Sequence, residues 1–219
     1  EYVSVPLYPN LNAETLERIL EHSETKVLFV GKLDNYDSMK EGVSSDLICI
    51  TYPFYSEDYK TWDDLTHNIN PLLGNITRNE MELASIIYTS GTTGKPKGVM
   101  HKFYNFSFAT TNAIKALSLG KETFFSYLPL CHIAERLLVM MGSLYTGGRV
   151  SFAESLETFS DNLSEASPSV FLGVPRIWIK FQQGILQKIP QNKLNILLSI
   201  PFVSSLIKKK IQKGLGLSH

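Results

Sequence analysis

The feature that most constrains this chain is the alternation of short apolar runs with segments of helical period. Val27 to Val30 is an apolar run closed by Gly31, Leu47 to Thr51 repeats it, and Leu83 to Tyr88, Phe124 to Leu128, Val150 to Phe152 and Ser169 to Leu172 continue the series. Runs this short, bounded by turn residues, read as buried strands. The opening Tyr2 to Leu7 reads as one more. Between them lie helical patterns. Asn12 can cap a helix whose Leu16, Ile19 and Leu20 share a face, with Glu14 and Glu17 at its positive end. A short helix fits Tyr36 to Lys40, Trp62, Leu65 and Ile69 fall at helical spacing, and Phe103, Phe106, Thr110, Ala113 and Leu117 recur every three or four positions. Ile133 to Tyr145 is apolar nearly all round and stops at Gly147-Gly148, as a buried helix with a glycine C-cap would. A helix near Leu156 to Leu163 follows, and Pro175 stands at the first turn of another. Strands alternating with helices predict an α/β fold of mostly parallel sheets flanked by helices. Ligands bind such sheets at the carboxyl ends of the strands, so chemistry is to be sought after Tyr88, Leu128 and Leu172.

The 219 residues amount to one domain or one and a half, and a charged fraction of 19%, below the roughly 25% of an average soluble domain, argues for a large core. Twenty-one basic side chains balance 21 acidic ones, which disfavours a nucleic-acid partner. Cys49 and Cys131 are far apart and the five histidines form no zinc pattern, so two reduced thiols in a cytoplasmic protein are expected. The sequons at Asn75, Asn105 and Asn162 carry no weight without a signal peptide. No run reaches the roughly 18 apolar residues of a membrane-spanning helix, and the stretch from Leu194 to Ile207 is interrupted by Pro201. The first residue is Glu1, not Met, and the chain opens as if inside a strand, so it is expected to begin in mid-domain.

Tyr88-Thr89-Ser90-Gly91-Thr92-Thr93-Gly94-Lys95-Pro96-Lys97-Gly98-Val99 gathers hydroxyls, glycines and two lysines directly after an apolar strand. Glycines let backbone amides approach an anion, hydroxyls donate to phosphate oxygens, and a lysine supplies a mobile point charge. A merely flexible surface turn would not gather so many polar groups there. The spacing excludes the common phosphate loop, whose second glycine would fall five residues after Gly91, where Pro96 stands.

The segment from Thr89 to Val99 resembles, without departure, the T-S-G-T-T-G-x-P-K-G-V signature of the adenylate-forming (AMP-binding) superfamily. Leu128-Pro129-Leu130-Cys131-His132-Ile133-Ala134-Glu135-Arg136 and Val174-Pro175-Arg176-Ile177-Trp178 are similar to the corresponding stretches of long-chain acyl-CoA synthetases, and Val5-Pro6-Leu7-Tyr8-Pro9 adds to the likeness. The resemblance implies that residues 1–219 are part of the large N-terminal domain of such an enzyme. It implies ATP-dependent activation of a long-chain fatty acid to acyl-AMP, with Mg²⁺, and transfer to coenzyme A. Ser90, Gly91, Thr92, Thr93, Gly94 and Lys97 would then cradle the pyrophosphate portion of ATP, Thr89 would offer its hydroxyl to Mg²⁺, and Lys95 would be a solvated charge. His132 would stand near the acyl carboxylate and the adenylate.

Several readings stay open. Glu135 and Arg136 either line an acyl entrance or pair with neighbours, and Leu137, Leu138, Met140, Met141 and Leu144 either border an acyl tunnel or form helix core. Arg176 and Trp178 are expected to fasten their helix to the sheet. The tail from Ile196 to Ile207, followed by Lys208, Lys209 and Lys210, either touches an anionic membrane peripherally or is a buried helix with a partner beyond His219. The Y-G-x-T-E stretch, the ribose-binding aspartate and the small C-terminal domain implied by the resemblance are missing, so the chain alone is expected not to turn over. Competing readings are a fatty acyl-AMP ligase, another adenylation domain, or a noncatalytic relic that keeps the fold. Oligomeric state is not legible.

Overall fold

The computed structural model describes residues 2–52, 59–89 and 95–218. The chain forms two compact units, Glu1–Phe106 with Pro129–His132, and Ser107–Leu128 with Ile133–His219.

In the first unit Asn12 caps α1 (Ala13–His22), its Oδ1 accepting from the Thr15 amide at 2.9 Å. Leu16, Ile19 and Leu20 turn inward, as the periodicity requires. There follow β1 (Val27–Val30), α2 (Tyr36–Met39) running into a 3-10 turn at Lys40–Gly42, β2 (Ile48–Thr51), β3 (Lys60–Thr61) and α3 (Trp62–Thr66). These three strands form a parallel sheet in the order β1-β2-β3, with Val27 opposite Ile48 and Ile50 opposite Lys60. Leu16, Leu20, Leu28, Val30, Tyr36 and Met39 make its core. Helix α3 ends before Ile69, which is exposed, because Asn68, Asn70 and Pro71 favour turns over helix.

Strands β4 (Leu83–Thr89) and β5 (Lys97–Lys102) form an antiparallel hairpin, the departure from the parallel expectation. Sequence reading misses β5 because it is largely exposed and lacks period-two alternation. The expected opening strand reduces to one parallel bridge between Ser4 and Ser85, reinforced by the Ser85 hydroxyl donating to the Ser4 carbonyl at 2.8 Å.

Helix α4 (Phe103–Leu117) carries the chain into the second unit, where β6 (Thr123–Ser126) pairs in parallel with β7 (Arg149–Phe152). The strand expected at Ser169 to Leu172 is a single bridge from Val170 to Phe124. The segment from Ile133 to Tyr145 is a π-helical stretch, Glu135–Met141, continuing as α5 (Gly142–Thr146). Gly147 ends it in the left-handed region at φ 65°, the expected glycine cap. The helix is not buried all round, since Leu144 is 71% exposed. Helices α6 (Phe159–Ala166), α7 (Pro175–Lys188), α8 (Gln191–Ser199) and α9 (Pro201–Gly214) complete the unit. Its core is Phe125, Phe159, Leu163, Ile177 and Phe181.

Candidate functional site

The hairpin fixes the two ends of the hydroxyl- and glycine-rich segment. Thr89, the last residue of β4, lies opposite Lys97, the first of β5. Directly opposed residues of an antiparallel pair place their Cβ atoms about 4.5–5.5 Å apart on one face of the sheet. The Thr89 and Lys97 side chains therefore leave the mouth of the hairpin on the same face, and both residues are exposed. Lys95 is exposed too, but precedes the strand and shares no register with Thr89. Ser90, Gly91, Thr92, Thr93 and Gly94 lie outside the described residues.

One residue inward, Tyr88 opposes Gly98. A Cβ on Gly98 would meet Ile86 Cγ2 at 2.7 Å and Tyr88 Cζ at 3.2 Å, so the Tyr88 ring occupies the space that any side chain at 98 would need. The Tyr88 hydroxyl shares a hydrogen bond with His22 Nδ1 at 2.6 Å, joining the hairpin to the end of α1. Burial raises the Tyr88 phenol above its usual range, with the Ser23 hydroxyl acting in the opposite direction. Sequence reading credits the glycines with approach to an anion. For Gly98 the structure shows a packing reason instead.

His132 lies in the turn after β6, its amide donating to the Pro129 carbonyl at 2.8 Å, and this turn, Pro129–His132, belongs to the same compact unit as the hairpin. Its neighbour Cys131 is buried.

In the second unit the carboxyl end of β6 is built around two groups. The Tyr127 hydroxyl donates to the Leu172 carbonyl at 2.9 Å and accepts from the Val174 amide at 3.1 Å. It thereby ties together two of the segment ends singled out from the sequence. Sequence reading gave Tyr127 no role, although a tyrosine at the end of an apolar strand needs a partner for its hydroxyl. Glu135, at the start of the π-helical stretch, is 1% exposed. Its carboxyl lies beside the Ser126 hydroxyl and the Leu128 and Tyr127 amides, yet no approach reaches full hydrogen-bond geometry and both oxygens are sealed from solvent. Burial raises its pKa, and those three dipoles only partly oppose the shift. Glu135 thus faces the strand end, which favours the reading in which it meets its neighbours. Arg136 is buried. Trp178 ties α7 to the segment that leads into it, Nε1 donating to the Gly173 carbonyl at 2.8 Å, whereas Arg176 is exposed.

Among the described residues no group of three or more His, Cys, Asp and Glu side chains could hold a metal ion. A magnesium ion would fit the Thr89 hydroxyl only as one donor beside nucleotide phosphates and water, the mixed shell that this ion commonly keeps. No helix among the described residues is long and apolar enough to cross a membrane.

The AMP-binding enzyme family matches residues 1–208. The chain belongs to that family. Among relatives of this AMP-binding chain, long chain acyl-CoA synthetase 2 of Arabidopsis thaliana is 29% identical over 217 residues, covering 87% of the chain and 32% of the relative. The long-chain-fatty-acid–CoA ligase heimdall of Drosophila melanogaster is 30% identical over 203 residues, covering 82% of the chain and 30% of the relative. The chain therefore spans about a third of the length of these curated relatives. The adenylation domain of a carboxylate reductase from Mycobacterium chelonae superposes with a TM-score of 0.76 at 18% identity, covering 99% of the chain and 38% of that structure. That likeness establishes the adenylate-forming fold.

Proposed function

We propose that these 219 residues supply the nucleotide-gripping part of a ligase that activates a long-chain fatty acid as its coenzyme A thioester. The observation that carries the reading is the register of Thr89 opposite Lys97, which pairs a hydroxyl-bearing and a cationic residue of the signature across the hairpin. In the first half-reaction a fatty-acid carboxylate oxygen attacks the α-phosphorus of ATP and pyrophosphate leaves. In the second, the thiol of coenzyme A attacks the acyl carbonyl, loses its proton, and AMP leaves. Both steps depend on holding reactants in line and on neutralising charge. Lys97 places its ammonium against the β and γ phosphates, where negative charge accumulates as pyrophosphate departs. Thr89 would offer its hydroxyl to the same phosphates and to Mg²⁺. When bound, that ion adds charge neutralisation that the hydroxyls cannot supply. His132, set by the Pro129 turn, is assigned to the acyl carboxylate and the adenylate. The names of the sequence relatives support coenzyme A as acceptor and a long-chain acid as substrate.

The test is ATP binding followed by carboxylate-dependent pyrophosphate release across acids of increasing length, with Lys97→Ala and Lys95→Ala compared in the full-length enzyme. A charge-assisted contact contributes about 1.5–3 kcal/mol, so Lys97→Ala should weaken ATP-dependent turnover roughly tenfold to a hundredfold and Lys95→Ala by about twofold or less. Equal effects would remove Lys97 from the phosphate site. Release peaking with short acids would overturn the long-chain assignment, and acyl transfer only to a carrier protein would overturn coenzyme A.

A further inference from the structure

The net charge of zero conceals a strong polarity. Residues 166–219 carry eight basic side chains and no Asp or Glu, while every acidic residue lies before them. This basic last quarter of the chain contains α7, α8 and α9.

The outward face of α9 does not have the composition of a surface helix. Ser204 is buried and Ile207 and Ile211 are half-buried, so the inner face is supplied with its own packing. Ile211 and Leu215 line an apolar cavity of about 420 Å³ together with Trp178, Phe181 and Leu194. Opposite them, Phe202, Leu206, Lys209 and Lys213 follow at intervals of four, three and four, one stripe of an α-helix. Phe202 is 87% exposed and Leu206 69% exposed, and Lys209, Lys210 and Lys213 are exposed as well. Ile196 within α8 and Ile200 at the turn into α9 are exposed as well, at 63% and 44%. The hairpin thus has an apolar tip and a cationic shank, with no anion on either helix.

We propose that the α8–α9 hairpin is a docking surface for an anionic phospholipid membrane, its tip entering the interface through Phe202 and Leu206 while Lys209, Lys210 and Lys213 lie against the acidic headgroups. Apolar side chains anchor in the interfacial layer, and each lysine near an acidic leaflet adds an increment of attraction. Charge complementarity selects this occupant: a protein segment covering the same face would have to bring acidic groups to Lys209, Lys210 and Lys213, which stand on a helical hairpin that carries no Asp or Glu. The proposal is independent of the nucleotide reading, since vesicle binding is measured without ATP.

The experiment is co-sedimentation of the purified protein with vesicles of phosphatidylcholine alone and of phosphatidylcholine with phosphatidylserine. It is paired with a Phe202→Cys variant carrying an environment-sensitive fluorophore. Binding to the acidic vesicles, weakened by salt, and a blue shift of the label are expected. The Lys209→Gln, Lys210→Gln, Lys213→Gln variant should bind about a hundredfold more weakly, from roughly fivefold per lysine, with an unchanged circular dichroism spectrum. Phe202→Ser should weaken binding roughly tenfold or more. The proposal is overturned by absence of binding to acidic vesicles, by equal binding to neutral ones, by a label that stays in water, or by undiminished binding of the triple variant.

Discussion

Gly98→Ala tests whether that glycine serves packing or phosphate. Gly98 opposes Tyr88, and the added methyl carbon would lie 2.7 Å from Ile86 Cγ2 and 3.2 Å from Tyr88 Cζ. The first is far inside contact distance for a carbon pair, which is comfortable near 3.5–4.0 Å. Neither neighbour yields easily, because Ile86 is β-branched and Tyr88 is buried and tied to His22 Nδ1 at 2.6 Å. Overpacking of a well-filled site costs about 1–3 kcal/mol, and tilting the ring off His22 forfeits a hydrogen bond of about 1 kcal/mol. The expected loss is about 2–4 kcal/mol in urea denaturation, against about 1 kcal/mol for Tyr88→Phe, which keeps the ring and gives up only the hydroxyl. Residues in contact couple, so Gly98→Ala in an Ile86→Ala background, which removes the nearest clashing carbon, should cost at least about 1 kcal/mol less than in the parent. If Gly98→Ala left the denaturation curve in place and weakened ATP binding alone, or if the two substitutions were additive, the packing account would be wrong.

Glu135 sets a pH dependence whose sign follows from burial. Its folded-state pKa is raised, so between the ordinary carboxyl pKa and the folded value the native state holds a proton that the unfolded chain has released. Stability from this group is complete below the ordinary pKa and falls as pH rises through the folded one. Glu135→Gln should flatten that fall and be more stable than the parent at neutral pH, as difference denaturation curves across pH would register; a parallel pair of curves would refute it. Trp178→Phe removes the 2.8 Å bond to the Gly173 carbonyl while keeping a ring beside Phe171 and Phe181, and should cost about 0.5–1.5 kcal/mol in the same assay. A loss well beyond that range would show that indole packing, not the bond, fastens α7.

What was legible in the sequence and what was not divide along a physical line. Helix α1 was legible because Asn12, two acidic residues and an apolar stripe all point to one structure. Strands β1, β2 and β4 were legible because each is a continuous apolar run bounded by turn residues, although Phe29 in β1 and Ile48 in β2 are exposed. Strand β5 was not, since an edge strand carrying Lys97, His101 and Lys102 has no hydrophobic signature. Nor was the π-helical stretch at Glu135–Met141, whose apolar period is that of an ordinary helix. Within the site, the chemistry of Thr89 and Lys97 could be named from the motif, but their placement opposite one another depends on a hairpin register that no local pattern declares. The role of Tyr127 required a third element, the segment from Leu172 to Val174, which is 45 or more residues away in sequence.

The signature segment therefore divides between two physical tasks. In the proposed reading its polar members would present charge and hydroxyls to phosphate, which is useful only if their base does not move as charge develops. The hairpin supplies that base through contacts remote from the loop itself. Ser85 is clipped to Ser4 on one side, with the Ile86 amide donating to the Ser4 carbonyl at 3.0 Å. Tyr88 is held by His22, and Gly98 lets the ring lie flush against the strand that carries Lys97. A substitution at Ser4 or His22, neither near the motif in sequence, is thereby coupled to the placement of Lys97. Such residues would be passed over by any reading that weighs the motif alone.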